Sequence, residues 1–338
     1  MITSFKATNF TVFKDIKVEF SPGVNIFIGP NGTGKTHLLK AVYAASCLIN
    51  NKIDTPLDLK INGVFMPSTI GRLVHRSIGR NSGEITISRR DEGDVKDRSI
   101  TLKITTLNKT EVKQSGWAID RAVETIFIPV KDMLANAPGF RSLFSQKKLA
   151  YEEIYLDIID KALLPVARGR LTPERERLLK ILNQSMSGKV IEKNETFYLK
   201  NKNGELEFTL LAEGFRKLGL LYRLIQNESL THGSVLFWDE PEANLNPLLL
   251  RTVVKILLEL SRMGVQIFLA THNYVLLKEF ELASSNEDNV LYHTLYRDEN
   301  DVIAHSSTLS LDTLEPNDID ETYSRILDDE IQKGLVDL

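Results

Sequence analysis

The chain has 338 residues, 42% of them hydrophobic, and its 42 Lys and Arg against 45 Asp and Glu give a formal charge of −3. That balance excludes a uniformly basic nucleic-acid binder, so any such contact has to rest on a local patch. The single cysteine, Cys47, excludes a disulfide framework or a cysteine-rich metal centre. No apolar run reaches about 18 residues and residues 1–6 lack the order of a signal peptide, so the expected setting is cytoplasmic, with no membrane partner.

Residues 2–9, 13–20 and 24–28 are short apolar bursts, the last two separated by the turn signal Ser21-Pro22-Gly23. They predict a β-hairpin leading into a buried strand. The next eight residues, Gly29-Pro30-Asn31-Gly32-Thr33-Gly34-Lys35-Thr36, match G-x-x-x-x-G-K-[ST] at every fixed position, and residues 37–48 follow as an amphipathic helix. This is a phosphate cradle. Backbone N–H groups from Asn31 to Gly34 and the helix N-terminus face an anion, Lys35 reaches the β- and γ-phosphates of a nucleotide, and Thr36 puts its hydroxyl on Mg²⁺. In that arrangement residues 9–14 lie near the base, with Phe13 free to stack on it and Lys14 near phosphate; Phe10 and Phe13 as plain core residues fit equally well.

Residues 61–65, 83–89, 99–106 and 111–114 read as short strands of an antiparallel lobe inserted after the first helix. It is locally basic through Arg72, His75, Arg76, Arg80, Arg89 and Arg90. Residues 125–130 predict a buried strand rejoining the main sheet. A helical lobe follows: Leu149, Ile154, Ile158, Ile159, Leu163 and Leu164 share one face, Pro165 stops that helix, and Thr172-Pro173-Glu174 starts another. Residues 197–200 and 206–210 predict a hairpin around Asn201-Lys202-Asn203-Gly204. A further helix opens at Ala212-Glu213-Gly214-Phe215-Arg216-Lys217.

In Ser234-Val235-Leu236-Phe237-Trp238-Asp239-Glu240-Pro241, four large apolar residues end in two acids, the pattern of a buried parallel strand that delivers both carboxylates to one site. Asp239 is expected to orient the Mg²⁺ shell, directly or through water, and Glu240 to be the base for an attacking water. After a helix over 248–262, residues 265–270 form another buried strand. It ends in Thr271-His272-Asn273, which places His272 on the ligand side of the sheet, within reach of a γ-phosphate or the attacking water. The remaining histidines have no metal-ligand spacing. Residues 290–296 and 302–306 give a last hairpin, and the acidic tail from Asp312 forms either a solvated helix over 319–335 or a docking surface for a basic partner.

Taken together, residues 9–13, the phosphate loop, Ala212–Lys217, residues 236–247 and residues 270–273 resemble the ABC-type ATPases of the SMC, RecF and OLD group, with small stand-alone bacterial ATPases that accompany a nuclease or other effector as the nearest type. The resemblance implies an α/β P-loop NTPase, an ABC-ATPase head with a mixed or parallel central sheet, an antiparallel β-lobe and an inserted helical lobe. It implies one ABC-type domain over 1–338, with a nucleotide core at 1–49, 119–132 and 209–311, a β-lobe at 50–118, a helical lobe at 133–208 and a tail at 312–338. It further implies a head-to-tail dimer around two ATP and Mg²⁺. In such a dimer Lys35, Glu240 and His272 serve hydrolysis, Thr36 and Asp239 hold the metal, and Gly214, Arg216 and Lys217 contact the partner's nucleotide.

Three departures accompany the resemblance. Ala212-Glu213-Gly214 stands where many members carry Ser-Gly-Gly, Val130-Lys131-Asp132 stands in place of a Mg²⁺-sensing glutamine, and Asn246 replaces an aspartate. They point to slow turnover and a switch. The leading expectation is an ATPase that regulates a separately encoded effector such as a nuclease, in phage defence or DNA maintenance. The alternatives are the nucleotide-binding subunit of a membrane transporter and a DNA clamp using ATP as glue.

Overall fold

Alternating apolar and polar residues build β1 (Ile2–Phe10) and β2 (Phe13–Glu19), an antiparallel pair that feeds the fully buried β3 (Val24–Ile28) and then the phosphate-loop helix α1 (Lys35–Cys47). Further along come α2 (Leu57–Phe65), β4 (Ser82–Arg89), β5 (Arg98–Thr105), β6 (Thr110–Ser115) and β7 (Thr125–Ile128). Next are α3 (Phe140–Ser145), α4 (Glu153–Leu163), α5 (Pro173–Met186), β8 (Lys189–Lys193), β9 (Thr196–Asn201), β10 (Gly204–Glu207) and α6 (Glu213–Gln226). The chain continues through β11 (Val235–Asp239), α7 (Pro247–Arg262), β12 (Gln266–Ala270), α8 (Tyr274–Ala283), β13 (Val290–Arg297), β14 (Ile303–Thr308) and α9 (Asp318–Val336). This computed structural model describes the chain except for residues 51–54, 92, 120–122 and 337–338, and except for the side chains of 334–336. The parts of the expected lobe and tail boundaries that fall on those residues lie outside the described ones.

A six-stranded sheet in the order β14-β13-β3-β12-β11-β7 carries the site, with β13, β3, β12, β11 and β7 parallel and β14 antiparallel at the edge. Side chains alternate across it. Val24, Ile26, Ile28, Leu236, Trp238, Ile267 and Leu269 face one core with α5, α6 and α7, whereas Phe27, Val235, Phe237, Phe268 and Ala270 face a second core with α1. The far side of that second core is a five-stranded antiparallel sheet, β2-β1-β4-β5-β6, so α1 is sandwiched between two sheets and its phosphate-binding end is held rigidly. Strands β4 to β6 thus extend the first hairpin's sheet instead of standing apart from it. A three-stranded sheet, β10-β9-β8, lies beside α6.

Two expectations are corrected, and one open alternative is decided. Residues 61–65 are the end of helix α2: Leu57, Ile61 and Val64 are buried at helical spacing, and Lys60 is drawn inside by Glu153 and Asp157 at 2.7 and 2.8 Å. The expected hairpin at 197–210 has a third strand, β8, and residues 208–210 form a 3₁₀ turn because Phe208 folds into the core. Phe13 is fully buried, so it packs as core and is not free to stack on a base. Among the described residues no helix is long and apolar enough to cross a membrane.

A buried polar chain links β3 to the edge hairpin. Asn25 Oδ1 accepts from the Ser21 amide at 2.8 Å and lies 3.3 Å from His293 Nε2, so that nitrogen carries the proton; His293 Nδ1 then accepts from His305 Nε2 at 3.0 Å. His293 also stacks on Phe27, with ring centroids 4.4 Å apart. Burial keeps both imidazoles neutral, holding His293 well below the usual histidine range and His305 at about 4. The unfolded chain takes up these protons near pH 6.5 and the native one does not, so the pair's contribution is present at neutral pH and is lost as pH falls from about 6.5 toward 4. Thermal unfolding is expected to lose roughly 1–3 kcal/mol over that interval through this pair, and a His293→Phe/His305→Leu variant to show a flatter profile. Superimposable profiles would contradict the assignment.

Candidate functional site

The phosphate loop folds as it does because of two close approaches. Gly29, at φ 131°, lies where a Cβ would come within 2.0 Å of the Leu295 carbonyl oxygen, and Gly34, at φ 94°, where a Cβ would come within 2.6 Å of both Phe13 and Val12. Thr33 is buried and donates its hydroxyl to the Pro30 carbonyl at 2.9 Å, which fixes the loop from inside, while Asn31 and Gly32 are exposed at its rim. No side chain caps α1, whose N-cap is Gly34, so the amides of its first turn stay available for an anion. The Lys35 ammonium lies across the cradle, donating to the carbonyls of Gly29 at 2.6 Å and Pro30 at 3.0 Å. Burial lowers its pKa, opposed by the nearby carboxylates of Asp239, Glu240 and Glu242.

Strand β11 delivers its acids to the same place. Thr36 Oγ1 donates to Asp239 Oδ2 at 2.9 Å, closing a contact across 203 residues of chain. Burial pushes the Asp239 carboxyl up to about 6, against the pull of the Thr36 hydrogen bond. Glu240 sits just past the strand in the left-handed region, at φ 49°, held there by its amide's bond to the Ala270 carbonyl at 2.9 Å. A glutamate retained in that conformation marks a position whose geometry is over-determined by its surroundings. From the end of β12, His272 brings Nδ1 to 3.3 Å from Glu240 Oε1, with its side chain 56% exposed. Lys35, Thr36, Asp239, Glu240 and His272 are therefore drawn to one end of the parallel sheet, with the glycine loop beside them.

The residues at the start of α6 make contacts within their own chain. Lys217 is 1% exposed, and its ammonium donates to the Ala243 carbonyl at 2.6 Å and the Glu240 carbonyl at 3.4 Å of its own chain. It braces the loop after β11 from inside the chain. Arg216 pairs with the buried Asp132, Nε to Oδ2 at 3.4 Å, at the position where the resemblance implies a Mg²⁺-sensing glutamine. Gly214 is packed against Asn244 and Leu245, where a Cβ would meet both at 3.2 Å. Asn246 caps α7, accepting from the Leu248 amide at 3.0 Å.

The basic group read from the sequence also divides. Arg89 is 1% exposed and satisfied by the Trp117 and Gly116 carbonyls and Asp91, so it is structural, and Arg90 is tied to Asp97 at 2.7 Å. Arg72, His75 and Arg76 instead line a cleft of about 500 Å³ next to the phosphate-loop helix, together with Lys14 and His37. Two buried polar atoms in its walls, Thr11 Oγ1 and His37 Nδ1, have no hydrogen-bond partner. One residue that the sequence reading passed over is Glu242. It is buried, and its Oε1 accepts from Thr271 Oγ1 at 2.7 Å and from the His272 amide at 3.2 Å. The only signal for it was a third acid in Asp239-Glu240-Pro241-Glu242.

The family described as "AAA domain, putative AbiEii toxin, Type IV TA system" matches residues 24–278, a span that includes the phosphate loop, both acids and His272. Among curated proteins the chain is 38% identical over 76 residues to the DNA replication and repair protein RecF of Lactobacillus gasseri, covering 22% of this chain and 20% of that one. It is 23% identical over 267 residues to the RecF of Limosilactobacillus reuteri, covering 70% of each. The chain thus spans about a fifth of the first relative's length and about two thirds or a little more of the second's. Among solved structures it is similar to an SMC head bound to the C-winged helix domain of ScpA, with a TM-score of 0.60, 14% identity and coverage of 92% and 98%. An SMC head derived from Pyrococcus furiosus gives a TM-score of 0.58 at 13% identity, covering 98% and 99%, and these likenesses speak for the fold. The chain belongs to this AAA-domain family, and the fold it shares with the SMC heads is the α/β P-loop NTPase fold of the ABC type.

Proposed function

We propose that the chain binds and hydrolyses Mg²⁺–ATP and works as a switch whose two copies pair head to tail on the nucleotide. The observation that carries this reading is the 2.9 Å contact between Thr36 Oγ1 and Asp239 Oδ2. Two hard oxygen donors at that spacing fit Mg²⁺, since neighbouring ligands of an octahedral shell with metal–oxygen distances of 2.0–2.1 Å lie about 2.9 Å apart. When bound, the ion would neutralise phosphate charge and polarise the transferred group. Thr36 and Asp239 would hold it, directly or through water. Lys35 would leave the carbonyls of Gly29 and Pro30 for the β- and γ-phosphates, and the open amides of α1 would face the same oxygens. Glu240 would orient the attacking water and take its proton, with His272 Nδ1 3.3 Å from that carboxylate. The cleft beside α1, with Thr11 and His37 in its walls, suits the base and ribose better than Phe13 does.

The rest of the reading is proposed on the same footing. The chain would act as one ABC-type head in a cytoplasmic setting, and cross-dimer contact would rest on the N-terminus of α6, with Lys217 staying inside its own copy. Relatives named DNA replication and repair protein RecF support a part in DNA maintenance, and the exposed Arg72 and Arg76, with the half-buried His75 beside them, support a nucleic-acid contact. Control of a separately encoded effector such as a nuclease, in DNA maintenance or phage defence, belongs to this proposal.

Lys35→Ala is expected to weaken Mg²⁺–ATP binding by about 100-fold or more, measured by titration calorimetry. Glu240→Gln is expected to keep that affinity, hydrolyse at least about 100-fold more slowly and shift to a dimer in light scattering only with Mg²⁺–ATP. Undiminished affinity in the first variant, or ordinary turnover in the second, would contradict the roles given. Asp239→Asn separates binding from folding. A carboxyl whose folded pKa lies above its unfolded value costs stability when ionised, so the amide is expected to raise metal-free stability at neutral pH by roughly 1–3 kcal/mol while abolishing Mg²⁺-dependent nucleotide binding. A lowered unfolding midpoint, or Mg²⁺ dependence left intact, would count against it.

A further inference from the structure

The segment that carries His272 has no helix or strand of its own; it is the bend between β12 and α8. Within it the Asn273 amide donates to Thr271 Oγ1 at 3.0 Å, and four further bonds hold it. The Thr271 amide donates to the Phe27 carbonyl at 3.0 Å, Asn273 Oδ1 caps α8 by accepting from the Leu276 amide at 2.9 Å, and Glu242 Oε1 accepts from both Thr271 Oγ1 and the His272 amide. The first two fix the ends of the bend. Glu242 acts on its middle, and it does so from the loop that carries Glu240, two residues away. Its side chain is 5% exposed, its Oε1 lies 3.8 Å from His272 Nδ1, and its Oε2 is buried with no hydrogen-bond partner. A buried carboxylate with one bare oxygen is costly, and a bond to a threonine hydroxyl alone would be met as well by a neutral acceptor.

We propose that Glu242 is a positioning residue for ATP hydrolysis, clamping the end of β12 to the loop after β11 so that His272 Nδ1 is held against Glu240. This rests on the ATPase reading above. Without the clamp the Glu240 amide still holds the Ala270 carbonyl at the end of β12, but Thr271 and the His272 amide lose their bonds to the loop after β11, and the half-exposed imidazole loses its registry with the carboxylate it adjoins. Binding of ATP, which depends on the phosphate loop and on Thr36 with Asp239, is left intact by this role. Glutamine can replace the clamp, because its amide oxygen accepts the same two bonds at the position of Oε1.

The test is steady-state hydrolysis and calorimetric Mg²⁺–ATP binding on the full chain, with thermal unfolding as the control. Glu242→Ala is expected to lower kcat by about tenfold or more with KM and Kd within about threefold of wild type, and Glu242→Gln to recover kcat to within about threefold. Turnover of Glu242→Ala within twofold of wild type, about the error of such a comparison, overturns the inference. So does an alanine variant that loses binding and stability along with turnover and is not recovered by glutamine, which would be a structural role alone. A wild-type chain that binds but does not hydrolyse ATP overturns the parent reading, and this inference with it; a wild-type chain that hydrolyses ATP alongside an unaffected Glu242→Ala overturns the clamp alone.

Discussion

A single hydroxyl–carboxylate contact organises the molecule around its site. Thr36 is the second residue of α1 and Asp239 the last residue of β11, and their 2.9 Å bond requires that the phosphate loop, the central sheet and the register between β3, β12 and β11 all be correct together. The apolar alternation of those three strands supplies the register, since a slip by one residue would exchange the two cores and turn Asp239 away. Sandwiching α1 between two sheets then fixes the other end of the contact. Site geometry is thus a consequence of core packing.

The site also concentrates conformations and charges that folding alone would avoid. Glu240 occupies left-handed backbone space, Asp239 is held as a buried carboxyl with its pKa raised by desolvation, Glu242 has a bare buried oxygen, and Lys217 is an ammonium inside the core. Three of these are compensated locally: the Ala270 carbonyl pins Glu240, Thr36 steadies Asp239, and carbonyls at 240 and 243 receive Lys217, whereas Glu242 Oε2 is left bare. Costs of this kind cluster where a protein must hold charge ready for a charged ligand. The internal use of Lys217 and the pairing of Arg216 with Asp132 also tie the start of α6 to the segments that follow β11 and β7.

Much of this was legible in the sequence wherever a function demands particular residues at set spacing. The glycine loop before Lys35-Thr36, the apolar strand ending in Asp239-Glu240 and the strand ending before His272 declare both their structure and their chemistry. Features that depend on approach between distant segments were not. Residues 61–65 are apolar over too short a window to separate a period of 2 from one of 3.6, and only the burial of Leu57, Ile61 and Val64 together reveals a helix. Phe13 reads as an aromatic near a base until its contact with Gly34 is known. Arg89 counts as surface charge in a tally of basic residues, yet Trp117 and Gly116 carbonyls take it inside. Glu242 declares nothing, because its partners Thr271 and His272 reach it only through the pairing of β11 with β12.

The central claim is that two distant segments converge on one metal–nucleotide. A crystal structure with Mg²⁺ and a non-hydrolysable ATP analogue tests it most directly. The account predicts a single ion in contact with Thr36 Oγ1 and, directly or through one water, with Asp239, with Lys35 on the β- and γ-phosphates and Glu240 facing the γ-phosphate from the side of the attacking water. A nucleotide bound elsewhere, or an ion held away from Thr36 and Asp239, would contradict it.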